Sequence, residues 1–374
     1  MRAYSSVLLL FCLSGARAES LVITPSTISI TVEVDSLVLP SLKLRITSDS
    51  QNETAFDFRG QSFSSSPITP VKPFLVPLSG VTPADVQVDL DTRELAQLRP
   101  ATYAYNLYFS PIASPTNITV VRVDLILPAP PPPTVTSVVN AASLESSAIS
   151  PVEIVTIYGD HLSQPYGYGI SLVPLDPQSQ NYGFPLTTGR TTVTLNGIRA
   201  PLLYSGLHQI NAVVPAGIAD ASTAELIVIR DSQDSTPLRL PVVPAAPGIL
   251  SFSQNGVGQG VVMNPDYSVA DTNHPAPPGS YVSIFATGCG LLSRGFLDGQ
   301  LIRVGPYPET TVPVAVTIGG KPARVTYSGA APTYVYGLIQ INAIVPVDVA
   351  PGVQPVVLTV AGSSSRQDLT MVVR

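Results

Sequence analysis

The sequence has no tryptophan, only three lysines (Lys43, Lys72 and Lys321) and 12% charged residues. That is about half the charge of an average soluble domain. Without a basic run the chain has no electrostatic footprint for phosphate backbones, which excludes nucleic acid as a partner and argues against anionic membrane surfaces. Long apolar runs are also missing. Leu238 to Phe252 comes nearest and is broken by Pro241, Pro244 and Pro247, so no transmembrane segment is expected. Histidine is nearly absent: His161, His208 and His274 show no zinc-binding spacing and no accompanying nucleophile motif.

Cysteine occurs twice, at Cys12 and Cys289. Residues 1–18 read as a secretory signal, with Arg2 ahead of the apolar Val7 to Leu13 and Ala16-Arg17-Ala18 as the cleavage site. Cleavage near Ala18 removes Cys12, so no internal disulfide is expected, and Cys289 reads as a small buried apolar residue. Arg2 and Arg17 leave too, so the 19 basic residues fall to 17 against 25 acids, a net charge of about −8. The expected location is extracellular or periplasmic.

What the chain has in abundance is proline, 38 residues, together with 27 glycines. So much proline excludes a mainly helical protein, because each interior proline removes a donor and clashes with the preceding turn. Pro128 to Pro133 (PAPPPP) predicts an extended spacer. Beyond it the sequence repeats itself. Val193-Thr194-Leu195-Asn196-Gly197 corresponds to Val316-Thr317-Ile318-Gly319-Gly320, and Leu202 to Gly206 to Val325 to Gly329. Gln209 to Pro215 (QINAVVP) matches Gln340 to Pro346 (QINAIVP), and Val155 to Tyr158 matches Val282 to Phe285. Matched blocks in one order indicate two copies of one domain, the second carrying an insertion, Ala330 to Gly337.

Alternating apolar residues around Asn196-Gly197 and Gly319-Gly320 predict hairpins. With short strands and domains of this size, the expected class is all-β: three tandem immunoglobulin-like β-sandwich domains, the last two an internal duplication. The expected boundaries are 19–127, a linker at 128–134, then 135–246 and 247–374. Leu90 to Leu98 allows one short helical turn.

Motifs that would carry catalysis are scarce. Gly256-Val257-Gly258-Gln259-Gly260 is followed by a strand-like run, not a helix, so it reads as a β connection and not as a phosphate loop. Asp89, Asp91 and Glu94 read as a solvated strand end. No catalytic residue, metal ligand or cofactor site is expected. The suggestive features are two tyrosine-bearing loops. The connection from Ser163 to Arg190 holds Tyr166, Tyr168 and Tyr182, and the insertion holds Tyr334 and Tyr336. Long connections often carry function, and tyrosine faces beside amides suit sugar rings.

Val139 to Ser143 (VNAAS), Pro185 to Thr188, Ala245 to Ile249 (AAPGI), Gly258 to Gly260, Ala286 to Gly288 and the two Gln-Ile-Asn blocks resemble the Solibacter uncharacterised C-terminal domain. That is a secreted bacterial module of unassigned function, with halves similar to IPT/TIG immunoglobulin-like domains. Cys289 departs from it, standing where members carry an aliphatic residue. The N-terminal region resembles the BACON β-sandwich domain at Leu21 to Pro25, Phe74-Leu75, Ser79 to Pro83 and Leu98 to Tyr103. Members usually have Trp-Leu at Phe74-Leu75 and often glycine at Ala101. The resemblance implies carbohydrate or mucin as ligand.

Together these readings predict a secreted, non-catalytic binding or adhesion module for an extracellular polysaccharide or a cell-surface protein. Tyr166, Tyr168, Tyr182, Tyr334 and Tyr336 are its candidate contacts. The alternatives are a structural spacer or anchoring module and, last, an accessory part of a hydrolase.

Overall fold

The structure is a computed structural model, and it describes every residue except 1–18, 37, 51, 64–70, 166, 168, 170–171, 176–181, 294–296 and 304. The expected signal segment therefore lies outside the described residues. Strands answer the alternating runs throughout, and the chain separates into two units, 1–129 and 130–374.

In the N-terminal unit, Leu21–Thr24, Leu42–Ser48, Ala84–Leu90 and Phe74–Leu75 form one sheet in that spatial order. A second sheet runs Thr27–Thr31, Thr119–Leu127, Ala101–Pro111, Ala55–Phe63, Ser79–Val81. Period-two alternation turns Leu42, Leu44 and Ile46 inward from one sheet, and Val121, Val123 and Leu125 from the other. Tyr105 lies at the centre, touching Phe63 and Phe74 at ring-centroid distances of 5.3 and 5.4 Å. Burial pushes its phenol up to about 12. Tyr103 closes the corner: its hydroxyl donates to the Arg99 carbonyl (2.8 Å) and accepts from the Arg99 N–H (3.1 Å).

The expected helical turn is Thr92–Leu95, capped by Asp91, whose carboxylate accepts from the Arg93 N–H. Asp89 accepts from Gln87, and Glu94 from the Lys72 N–H. These three carboxylates hold local turns.

The C-terminal unit contains both repeats. In the first, Thr134–Asn140, Ile154–Asp160, Gln209–Val213 and Leu202–Ser205 form one sheet. It faces Ile198–Ala200, Thr191–Leu195 and Thr223–Arg230, with Leu238–Pro241 paired to the last. Leu195 pairs with Ile198 across Asn196-Gly197, whose φ angles of 49° and 78° give the expected two-residue hairpin. Gly319-Gly320 does the same at 59° and 74°.

The second repeat joins ten strands into one sheet, eight along a continuous hydrogen-bonded path and two paired off it. The cause is a single substitution between the copies. Lys321–Ala330 runs unbroken, its first residues paired to Val314–Ile318 and its remainder to Ile339–Ile344. In the first repeat Pro201 stands where the second has Arg324, and proline, lacking an N–H, splits the strand in two. All three domains are immunoglobulin-like sandwiches, each with its own core.

The two repeats are joined by small residues and one buried amide. Asn140 Oδ1 accepts from the N–H groups of Ala142 (2.8 Å) and Ser143 (3.0 Å), while Nδ2 donates to the Ala246 carbonyl (2.9 Å). Ala246 in turn donates to the Gly288 carbonyl. A Cβ at Gly288 (φ 76°) would lie 2.0 Å from the Ala246 oxygen, so only glycine fits. Thr287 bridges both copies, accepting from the Ile154 N–H (2.8 Å) and donating to the Gly337 carbonyl (2.8 Å). Val152 from the first repeat enters the core of the second.

Beside Val152, the carboxylate of Glu153 is fully buried. Burial pushes its pKa from 4.5 up to about 8, against the opposing hydrogen bonds from the Ser150 N–H and hydroxyl. Its other oxygen, Oε1, has no partner.

Replacing Asn140 with alanine leaves two buried N–H groups and a carbonyl without partners. The expected loss is about 3 kcal/mol of stability in urea unfolding of the C-terminal unit. A loss under about 1 kcal/mol would show that the junction tolerates an open amide site. For Glu153, the folded protein holds a proton between pH 4.5 and about 8 that the unfolded chain has released. Stability therefore falls as pH rises through that window, by roughly a few kcal/mol, and levels off above it. Glu153→Gln flattens this slope, which thermal melts at pH 5, 6.5 and 8 will show.

Candidate functional site

Strands Tyr281–Thr287 and Ile339–Ile344 pair so that Tyr281, Ser283 and Phe285 face outward beside Ile344, Asn342 and Gln340. The inward residues Val282, Ile284, Ile341 and Ala343 are core. Period two thus dictates an outer strip of two aromatics, one hydroxyl and two amides. The strip forms the floor of a groove of about 750 Å³, walled by Tyr334 and Pro332 of the insertion and by Met263, Pro265 and Tyr267. Tyr281 is 47% exposed, Tyr334 53% and Tyr267 84%. Phe285 meets Tyr334 edge-on, with centroids 6.4 Å apart.

The amides are fixed by one another. Asn342 Oδ1 accepts from Ser283 Oγ (2.8 Å) and from Gln340 Nε2 (2.9 Å). Both acceptor directions of Asn342 are thereby used inside the protein. The Nδ2 donors of Asn342 and the Oε1 acceptor of Gln340 make no hydrogen bond to another described residue, and they are what the floor offers a ligand.

The first repeat carries the same amide pair: Gln209 Nε2 donates to Asn211 Oδ1 at 2.8 Å. Its face is covered over part of its length, however, though Tyr158 beside Gln209 is exposed. Phe184 and Val335 pack on Val213 and Ile154, and Gly167 passes so close to Tyr204 that a Cβ there would lie 2.8 Å from the hydroxyl. The open strip belongs to the second repeat.

The five candidate tyrosines divide accordingly. Tyr166 and Tyr168 lie outside the described residues. Tyr334 stands on the groove wall as expected. Tyr336 does not face solvent: it is 2% exposed, its ring in the core of the second repeat, and burial pushes its phenol up to about 12. The reading of Tyr336 as a ligand contact is corrected on that ground: the insertion turns after Tyr334 instead of running on as a strand, so Tyr336 does not share Tyr334's exposed side. Tyr182 is exposed on the Val173–Pro174/Tyr182–Gly183 hairpin, with the Arg303 guanidinium 5.1 Å from its ring centroid.

The two tyrosine-bearing loops nevertheless meet. Leu301 donates to the Tyr182 carbonyl, Ile302 to the Tyr334 carbonyl, and Tyr336 to the Gln300 carbonyl. Segment 300–302 therefore clamps the insertion from one side, while Val335 anchors it on the first repeat. Tyr267, Tyr281 and Phe285 were missed from sequence. The available signal for Tyr281 and Phe285 was outward phase: they lie four positions apart, in phase with Ser283, on a strand whose alternate residues Val282, Ile284 and Ala286 are apolar.

No family model matches the chain, and no curated protein matches it. Among solved structures it is similar to SGBP-B of the Bacteroides ovatus mixed-linkage glucan utilization locus, solved with a mixed-linkage heptasaccharide. Identity is 11% over 93% of this chain and 65% of that one, with a TM-score of 0.28. It is also similar to SGBP-B from a complex xyloglucan utilization locus in Bacteroides uniformis, 14% identical over 64% of this chain and 49% of that one, with a TM-score of 0.20. A titin I-band fragment aligns at 9% identity over 96% of this chain and 99% of its own, with a TM-score of 0.20. The chain spans about two thirds of the first of these (65%) and about half of the second (49%). The fold assignment rests on the sheets described above.

Other polar groups serve structure. Asp160 pairs with His208 Nδ1 (3.0 Å) on the surface, and Asp271 lies 3.5 Å from His274 Nδ1. Among the described residues no three His, Cys, Asp or Glu side chains gather where they would hold a metal. Among the described residues no helix is long and apolar enough to cross a membrane. Gly256 and Gly258 take positive φ in a β connection, as their sequence context predicts, and Gly256 packs against the Ser143 carbonyl.

Cys289 is 1% exposed, and burial, reinforced by Glu153, pushes its thiol up to about 12. In the native protein Cys289 will resist maleimide at pH 7.5, reacting at least about a hundredfold more slowly than after denaturation. Peptide mass mapping checks this, and rapid native labelling would contradict the packing.

Proposed function

We propose that the protein is a secreted, non-catalytic binding module that holds extracellular carbohydrate in the groove of its second repeat. The observation that carries this reading is the pairing of exposed aromatic rings with the Gln340–Asn342 amides. Sugar rings present C–H faces that stack on Tyr281, Phe285 and Tyr334, and hydroxyls that both donate and accept. Aromatic walls with a few fixed polar groups are the usual composition of a small-ligand site. The apolar run, the cleavage-site pattern and the low charge of the chain support secretion.

In the N-terminal unit, Phe74, at the position where BACON members carry tryptophan, is buried against Tyr105 and presents no face to a ligand. This favours a spacing or display role for that unit, with carbohydrate held by the C-terminal one.

The test is a glycan array probed with the purified full chain and with Tyr281→Ala/Tyr334→Ala. Both side chains are half exposed, so the variant keeps its fold, and its affinity for any hit should drop at least about tenfold. Tyr182→Ala should bind as the parent does. A blank array, or hits indifferent to the groove variant, would overturn the assignment.

A further inference from the structure

We infer that the groove selects for uncharged glycan and rejects uronate-bearing or sulfated chains, an inference that rests on the carbohydrate reading above. No side chain lining the groove carries a charge at neutral pH. Its walls are mostly aromatic and aliphatic, with the neutral Thr333 and an Asn264 amide whose Nδ2 donates to Ser268 and the His274 carbonyl, and its floor is Ser283, Gln340 and Asn342. These three already neutralise each other's strongest demands: both lone-pair directions of Asn342 Oδ1 are taken, by Ser283 and Gln340. What remains at the floor is one amide NH₂ and one amide carbonyl oxygen, a neutral donor beside a neutral acceptor, and the other polar groups of the lining are neutral too.

Adjacent ring hydroxyls satisfy such a pair, because each hydroxyl donates and accepts. A carboxylate or sulfate only accepts. It would fit the Asn342 donors, meet the Gln340 carbonyl oxygen with repulsion, and lose its hydration with no cation to replace it. Burying an unpaired charge costs far more than burying a hydroxyl that finds its partners.

Charged groups flank the groove without lining it. Asp266 adjoins Tyr267 and accepts from Ser268. Arg324 pairs with Ile344, which pairs with Tyr281, so it stands two strands away, roughly 10 Å at the usual interstrand spacing. At long range the chain's net charge of −6 repels polyanions as well.

The test uses matched pairs that share a backbone and differ in charge: hydroxyethyl cellulose against carboxymethyl cellulose, and methyl-esterified against de-esterified polygalacturonan. Affinity electrophoresis of the full chain should show retardation by a neutral member, with its charged partner at least about tenfold weaker. Affinity for the neutral member should change less than about twofold between roughly 50 and 500 mM salt, since no ion pair forms. Asn342→Ala should weaken it about tenfold, and the near-isosteric Asn342→Asp, which removes the donors and adds a charge, at least as much. Preference for the charged members, affinity that falls with salt, or binding lost in Arg324→Ala would overturn the inference while leaving carbohydrate binding intact. No retardation by any polymer together with a blank array would remove the carbohydrate reading, and this inference with it.

Discussion

Everything distinctive in the C-terminal unit depends on the close approach of its two sandwiches. One buried amide, Asn140, satisfies two backbone donors of its own turn and reaches the Ala246 carbonyl, where the first repeat ends against the second. Two sheets meet at this distance only if the opposing backbone carries no bulk, hence Ala246 and Gly288. Thr287 then ties the end of one outer strand to the start of the other and to the insertion at Gly337. Through Gly337 and Val335 the junction sets the position of Tyr334, which is the groove wall. Packing between repeats and the geometry of the site are one constraint.

The duplication explains why one face is open and the other closed. Both repeats keep the Gln-Ile-Asn segment, because the side-by-side amides fix each other on the outer face of a central strand. They differ in what surrounds that pair. The first repeat places Ile154 where the second has Tyr281, and its long connection lies over the face. Tyr158 and Phe285 give each repeat one aromatic beside its glutamine, and the second repeat adds Tyr281 and an insertion that walls the strip without covering it. The amide pair alone is a feature of the fold; the aromatics beside it make a site.

Glu153 is the one costly group at the junction. A fully buried carboxyl favours its protonated form, so the docking of the repeats weakens as pH rises into the alkaline range. The N-terminal unit shows a comparable lesson about aromatic residues. Phe74 completes the core, and Tyr103 closes a corner by hydrogen bonds to Arg99.

The strands, the hairpins at Asn196-Gly197 and Gly319-Gly320, the helical turn after Asp91 and the buried state of Cys289 were all legible from sequence. Each follows from local physics: alternation with period two, positive φ in tight turns, a carboxylate cap, and the apolar character of an unpaired thiol. The motif residues Asn140, Ala246 and Gly288 were equally visible, but their purpose was not, because it lies in contacts across more than a hundred positions of chain. The site was half legible. Tyr334 is exposed on the groove, whereas Tyr336, two residues on, turns into the core. Tyr281 and Phe285 looked like ordinary strand residues until pairing set them beside Gln340 and Asn342. The sequence by itself determined that the chain is all-β, duplicated and poor in charge, because composition and short-range alternation are properties of neighbours. Only the tertiary structure decided which aromatic faces meet solvent and which repeat stays open, because exposure depends on what a distant segment covers.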